Sequence, residues 1–242
     1  MPLDEKGPFV PHLSWEGCHN TRDLGGLPLH DGGQTPFGAL IRSDNPERLT
    51  AAGWAAAVAH GVRTVVDLRE SCSADLRPAG LTTVRIDLDD MADEQVWRHI
   101  RDNDLDGTPL YYRYFMESKP AQCVAVATAV ARAPEGGVLV HCGLGRDRTG
   151  LIVMLLLSLA GVTREAIAAD YEESTSRLVP LYPALGIDDQ TAEIEQILRT
   201  KGTTLRAAVY DALDGFDAEK YLLAAGMDPA DVTALKTRLT RP

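Results

Sequence analysis

The sequence predicts an α/β protein, a central parallel sheet flanked by helices with additional helices towards the C-terminus, and three observations carry that expectation. Short β-branched apolar runs at 63–69 and 137–141 have the composition of strands buried on both faces. Alanine-rich stretches of helical length alternate with such runs, the order that parallel pairing through crossover connections requires. Residues 151–160, Leu-Ile-Val-Met-Leu-Leu-Leu-Ser-Leu-Ala, are apolar all round and stop at Gly161, as a helix inside a core does.

In chain order, Pro2, Pro8 and Pro11 make an irregular arm up to Trp15. Asn20-Thr-Arg-Asp-Leu-Gly-Gly26 then sets polar side chains before a Gly-Gly turn, the composition of an Asx-type turn, and a loop follows to Pro36. Residues 39–44 read as a strand, and 45–60 as a helix starting near Asn45 and stopping at Gly61. The 63–69 strand is followed by a loop at 71–80 and a third strand at 82–88. Residues 87–94 are an acidic cluster, which at the carboxyl end of a strand is either a solvated, helix-capping turn or a source of a catalytic acid. Helical excursions at 95–118 break at 103–107, and Tyr111-Tyr-Arg-Tyr-Phe115 is either core mass or a wall for a substrate ring. A helix at 119–133, with Pro120 in its first turn, leads into the 137–141 strand. Beyond Gly161, Thr163 caps a helix, 178–186 with Pro180 and Pro183 reads as a hinge, and helices follow at 188–200, 204–213, 218–225 and 229–239. One domain over 1–242 is expected, with 179–242 as a helical extension packed on it.

The composition, 45% hydrophobic and 6% aromatic over 242 residues, is enough for a sizeable core. A formal charge of -11 argues against nucleic acid or an anionic membrane surface as the main partner, so any site for an anion must be a local positive island. Cys18, Cys72, Cys123 and Cys142 show neither close pairing nor metal-ligand spacing, so no disulfide framework, metal or cofactor is expected. The N-terminus has no basic region followed by an apolar run, and 151–162 is too short to span a bilayer. The expected location is the cytoplasm, with export without a signal peptide left open, and the oligomeric state is not legible.

The stretch that carries chemistry is Val138-Leu-Val-His-Cys-Gly-Leu-Gly-Arg-Asp-Arg-Thr-Gly150. A strand, a glycine-bearing turn and a helix in that order aim several backbone N–H groups at one point, at the positive end of the helix dipole. Such a cup, formed by Gly143, Leu144, Gly145, Arg146, Asp147, Arg148 and Thr149, suits a tetrahedral dianion. Arg148 can fork two N–H donors onto two phosphate oxygens, and Cys142 at the floor is placed as a thiolate nucleophile.

His141-Cys142 followed by five residues and Arg148-Thr149-Gly150 resembles the phosphate loop of the cysteine-based protein tyrosine phosphatase superfamily. Gly145-Arg-Asp-Arg-Thr-Gly150 is similar to the Gly-Lys-Asp-Arg-Thr-Gly loops of the bacterial group akin to mycobacterial tyrosine phosphatase B, with Arg146 in the lysine's place. The resemblance implies the cysteine phosphatase fold and phosphotyrosine, phosphoserine/threonine or phosphoinositide substrates, that is, a phosphorylated protein or a phospholipid headgroup as partner. It also implies that Asn20, Arg22 and Asp23 pack beside the loop and brace it, and that Asp90, ahead of Asp89, is the general acid. In the mechanism so expected, Thr149 hydrogen-bonds the Cys142 thiolate as it leaves, His141 orients the loop from beneath, and Asp147 is either a second acid/base or a helix-capping carboxylate. Arg146 is expected at the mouth, meeting a second anionic group. The rivals are a sulfur-transfer or arsenate-reducing thiolate enzyme, and a catalytically silent phosphate-binding module.

Overall fold

The structure, a computed structural model, describes residues 12–70, 77–90 and 94–241. The arm before Pro11, Cys72 with the first part of the 71–80 loop, and Met91, Ala92 and Asp93 lie outside the described residues. The sheet has five strands in the order β1-β2-β5-β3-β4: β1 Arg22–Asp23, β2 Leu40–Ser43, β3 Val62–Asp67, β4 Thr82–Arg85 and β5 Gly137–His141. All pairings are parallel except that of β1 with β2, which sets Arg22 opposite Arg42. This two-residue antiparallel edge lies inside the turn expected at 20–26, and it has too few residues to show a strand period. β5 is central, between β2 and β3, and every residue of it is buried.

Helices among the described residues cover the sheet. On one face α1, Ala51–Ala59, packs Trp54 and Ala57 against Ile41, Val65 and Leu139. It begins later than the expected Asn45, because Asn45 caps a one-turn 3-10 helix, Pro46–Arg48, and Thr50 then caps α1 by accepting from the Gly53 N–H. On the other face lie α2 Glu94–Asp102, α3 Tyr112–Ser118, α4 Pro120–Ala131, α5 Asp147–Ala160 and α6 Arg164–Leu178. α5 forms the middle of the larger core, with Leu151 to Leu157 all buried. Gly161, at φ 78° in the left-handed region, ends it, and Thr163 caps α6 through the Ala166 N–H.

The expected hinge at 178–186 contains a short helix, α7 Leu181–Leu185. Pro183 sits in its first turn, where a missing N–H costs no helical hydrogen bond, so the proline does not forbid it. α8 Thr191–Thr200, α9 Leu205–Leu213, α10 Ala218–Ala224 and α11 Pro229–Thr240 complete the chain. Val209, Leu222, Val232, Leu235 and Leu239 enter the same core cluster as α5. No helix among the described residues is long and apolar enough to cross a membrane. Tyr111, Tyr112 and Phe115 are buried in the larger core, so core mass, not a substrate wall, is their place.

Candidate active site

β5 ends at His141 and α5 starts at Asp147, so residues 142–146 must reverse direction between a buried strand and a buried helix. Cys142 is 3% exposed, and its Sγ accepts the Gly145 N–H at 3.2 Å. Gly145 has φ 68°, and a Cβ there would lie 2.3 Å from the Ser43 carbonyl oxygen, so only glycine lets the loop come this close to the end of β2.

The outer side of the loop is tied down carbonyl by carbonyl. The Asn45 N–H donates to the Gly143 oxygen at 3.0 Å. Asn20 Nδ2 donates to the oxygens of Leu144 at 3.0 Å and Gly145 at 3.2 Å. Arg42 Nη2 donates to the Gly145 oxygen at 2.6 Å. His141 Nδ1 donates to the Cys142 oxygen at 3.0 Å, since a carbonyl can only accept. Burial pushes the His141 pKa down to about 4 even though Asp67 lies 3.7 Å from Nε2, so the ring is neutral and its Nδ1–H is free to hold the Cys142 carbonyl.

Behind this layer is a fully buried ion cluster. Arg22 Nε donates to Asp170 Oδ1 at 2.6 Å, Arg42 Nη1 contacts Asp170 Oδ2, and Arg22 Nη1 reaches Asn20 Oδ1 at 2.6 Å. Burial would raise the Asp170 pKa, but the two guanidinium groups outweigh it and hold the carboxyl below its usual range. Asn20 therefore lies against the loop, with Arg22 holding Asn20 from behind. Asp23 does not: it lies at the start of the turn, where Oδ1 accepts the Gly25 N–H at 2.9 Å and Oδ2 accepts from Gly38 and, at 2.7 Å, from His60. Side chains alternate across a strand, so Arg22 facing the loop sends its neighbour to the other side. Asp23 belongs to the Asx-type turn that its composition predicts.

The mouth of the cup is organised by Arg148, whose guanidinium passes 4.0 Å from where a Gly143 Cβ would be and whose Nη1 meets Asp89 Oδ2 at 3.0 Å. Burial would lower the Arg148 pKa, but Cys142 and Asp89 more than offset it, and the net direction is up. Asp89 itself is pushed up to about 6, because burial and the carboxylates of Asp87, Asp106 and Asp147 outweigh the attraction of Arg148. Its backbone is fixed by the Trp97 indole, which donates to the Asp89 oxygen at 2.9 Å.

Asp90, the expected acid, faces elsewhere: its Oδ2 accepts from Lys119, just before α4, at 2.8 Å and from Gln122, on α4, at 3.2 Å. Its φ of 42° turns the chain at this point and sends consecutive aspartates in different directions. Asp147 is gripped by its neighbour, with Arg146 Nε at 2.9 Å and Nη2 at 3.2 Å, in the first turn of α5, where a carboxylate also suits the helix dipole.

Arg146 is 5% exposed and is not a free cation at the mouth, because it also donates to the Tyr182 hydroxyl at 3.0 Å and to Gln190 Oε1 at 2.9 Å. Thr149 is buried with its hydroxyl unpaired, and the Cys142 sulfur accepts the Gly145 N–H. Leu144 leans on Leu178, Leu181 and Tyr182, which joins the loop to α6 and α7. Sequence reasoning missed Arg42, which looks like one more residue of a buried strand, and the role of Tyr112, whose hydroxyl donates to the Asp147 oxygen at 2.8 Å.

The loop thus brings together a buried sulfur that accepts a backbone N–H, the Arg148 guanidinium and a carboxyl group with a raised pKa, the kinds of group that displacement at a tetrahedral anion uses. The family comparison agrees: residues 13–241 match the model of the tyrosine phosphatase family, and the chain belongs to that family. Relatives include the "Triple specificity protein phosphatase PtpB" of Mycobacterium tuberculosis, 30% identical over 78% of this chain and 79% of its own length. A tyrosine-protein phosphatase of Nostoc commune is 30% identical over 84% of this chain and 75% of its own. A Cupriavidus necator protein named "Putative tyrosine-protein phosphatase" is 30% identical over 68% of this chain, and the match spans 63% of that relative's length.

Proposed function

We propose that the protein hydrolyses phosphate monoesters through a cysteinyl-phosphate intermediate, with phosphorylated tyrosine in proteins as the leading substrate. The observation that carries this is the meeting of Cys142, Arg148 and Asp89 around one cup, with the Gly145 N–H on the sulfur and Arg148 3.0 Å from Asp89.

The Cys142 sulfur attacks phosphorus from the floor of the cup, and the bond from phosphorus to the ester oxygen breaks. Inward N–H groups and the Arg148 guanidinium hold the three equatorial oxygens as charge spreads onto them. Asp89, protonated at and below its pKa of about 6, passes its proton to the leaving oxygen. A water then attacks phosphorus, Asp89 takes a proton from that water, the P–S bond breaks and inorganic phosphate leaves. Asp89 takes the acid's role that the family resemblance implies for Asp90, because Asp89 borders Arg148 whereas Asp90 is held by Lys119. Asp147, paired with Arg146, serves to seat the loop on α5.

One relative is named a triple specificity phosphatase, which supports a substrate range wider than one phosphorylated residue, and the loop's resemblance to that group suggests phosphoserine and phosphothreonine as the further substrates. Phosphoinositides fit less well, because Arg146 is already committed to Asp147, Tyr182 and Gln190. A thiolate mechanism suits a reducing compartment such as the cytoplasm. The test is turnover of para-nitrophenyl phosphate and a phosphotyrosine peptide by wild type and Cys142→Ser. Trapping of 32P on the wild-type protein, absent in the variant, is the expected result. Turnover that survives Cys142→Ser, or thiosulfate or arsenate turnover without phosphatase activity, rejects the reading.

A further inference from the structure

We propose that Arg42, anchored by Asp170, is a positioning residue for the reaction: it fixes the peptide unit between Gly145 and Arg146 so that the Arg146 N–H faces the bound phosphoryl group. The inference rests on the phosphatase reading of the site and adds a residue outside the 142–148 loop to its machinery.

In a trans peptide the C=O and N–H point in opposite directions, and no cis peptide occurs among the described residues. Fastening a carbonyl on the outer side of the loop therefore aims the next residue's N–H inward. Three consecutive units are fastened in this way, at the oxygens of Gly143 by Asn45, Leu144 by Asn20, and Gly145 by Arg42 and Asn20. The middle unit shows the outcome, because its Gly145 N–H points at Cys142 Sγ, 3.2 Å away. The third unit is the one held by a charge, at 2.6 Å, and its N–H belongs to Arg146.

Arg42 can hold that carbonyl only because its own position is fixed. It is 0% exposed, Asp170 takes Nη1, Ser174 lies 3.4 Å from Nη2, and Arg22 occupies the second Asp170 oxygen. The triad of two guanidinium groups and one carboxylate carries one net positive charge behind the cup. A cation this close to the loop in a dry interior favours a dianion at the mouth, and favours it most when charge builds in the transition state.

Arg42→Met removes both the fork and the charge, whereas Arg42→Lys keeps the charge but cannot serve Gly145 and Asp170 together. With para-nitrophenyl phosphate, the expected result is a kcat lower by about tenfold to a hundredfold in Arg42→Met, below the loss for a whole oxyanion donor because the Arg146 N–H is misaimed and not deleted. Vanadate inhibition should weaken by a similar factor, KM should move much less, and Arg42→Lys should recover only part of kcat. A folded Arg42→Met protein whose kcat and vanadate inhibition stay within about threefold of wild type overturns the proposal, since a purely structural residue would lower only the melting temperature. A second measurement needs no variant. In wild type, saturation with inorganic phosphate should shift the Arg146 amide proton downfield in the NMR spectrum, and an unmoved amide overturns the proposal even if both variants fail to fold. Failure of the phosphatase reading is recognised separately, as a wild-type protein without Cys142-dependent turnover.

Discussion

Asp89 and Asp90 are neighbours with opposite surroundings. Asp89 is mostly buried beside Arg148 and other carboxylates, and its pKa of about 6 lets it keep a proton near neutrality. Asp90 is tied to Lys119, just before α4, and to Gln122, on α4. An acid acts only while protonated, so turnover of substrates with poor leaving groups should fall as pH rises above about 6. Asp89→Asn should remove that limb and slow such substrates by roughly 10² to 10⁴, with little effect on para-nitrophenyl phosphate relative to them. Asp90→Asn should change neither, and a pH profile for each variant against phenyl phosphate decides the matter. Arg148→Lys keeps a charge but loses the fork, and a fall in kcat of roughly 10² to 10³ is expected from single-turnover assays. The choice between the two aspartates was not legible in the sequence, because it depends on the left-handed backbone at Asp90, a conformation unusual for a residue other than glycine.

At the scale of elements, what was legible is what is local. The strand, turn and helix around Cys142 lie within consecutive residues, so glycine placement and apolar runs sufficed to find them. The brace behind the loop joins Arg42 to Asp170, 128 residues apart, and a pairing at that separation leaves no periodic trace. The meeting of β5 with the loop also carries a pH signature. His141 has a folded pKa of about 4 against an ordinary value near 6.5, so between those values the unfolded chain binds more protons than the native state. Its contribution is therefore full above about pH 6.5 and is lost as pH falls towards 4, by roughly 2 kcal/mol at pH 5. Urea denaturation of wild type and His141→Asn at pH 7 and pH 5 checks this, the variant being expected to show the shallower dependence. At the other end of the loop, a Cβ on Gly150 would lie 2.6 Å from the Tyr171 ring and 2.7 Å from the Tyr112 hydroxyl. Gly150→Ala should therefore cost about 1–3 kcal/mol by overpacking. It should also lower kcat in the folded fraction, because Tyr112 holds the Asp147 carbonyl.

Across the whole molecule, a charge of -11 coexists with Arg22 and Arg42 behind the 142–148 loop and Arg148 over it. Beside that loop, a cavity of about 360 Å³ is lined by Leu144, Arg146 and Asp147 together with Asp104, Asp106 and Glu193. Arg101 is there too, but Arg146 is already paired with Asp147, so carboxylates dominate this cavity. Two effects then compete for a phosphorylated substrate. In the proposed function the cup attracts the phosphoryl group at contact, while the acidic cavity beside it repels further negative charge that arrives with it. Repulsion over a Debye length of about 8–10 Å reaches flanking groups but not distant ones, so discrimination should be set within a few residues of the phosphate. A phosphotyrosine peptide with flanking lysines should accordingly show a higher kcat/KM than one with flanking glutamates, and both should exceed phosphoinositides carrying a second phosphate. The preference should shrink as salt is raised from about 0.05 to 0.5 M, since screening weakens exposed charges more than the buried clamp. Steady-state assays over that range check it, and equal rates on the two peptides at low salt would show that the cup alone selects the substrate.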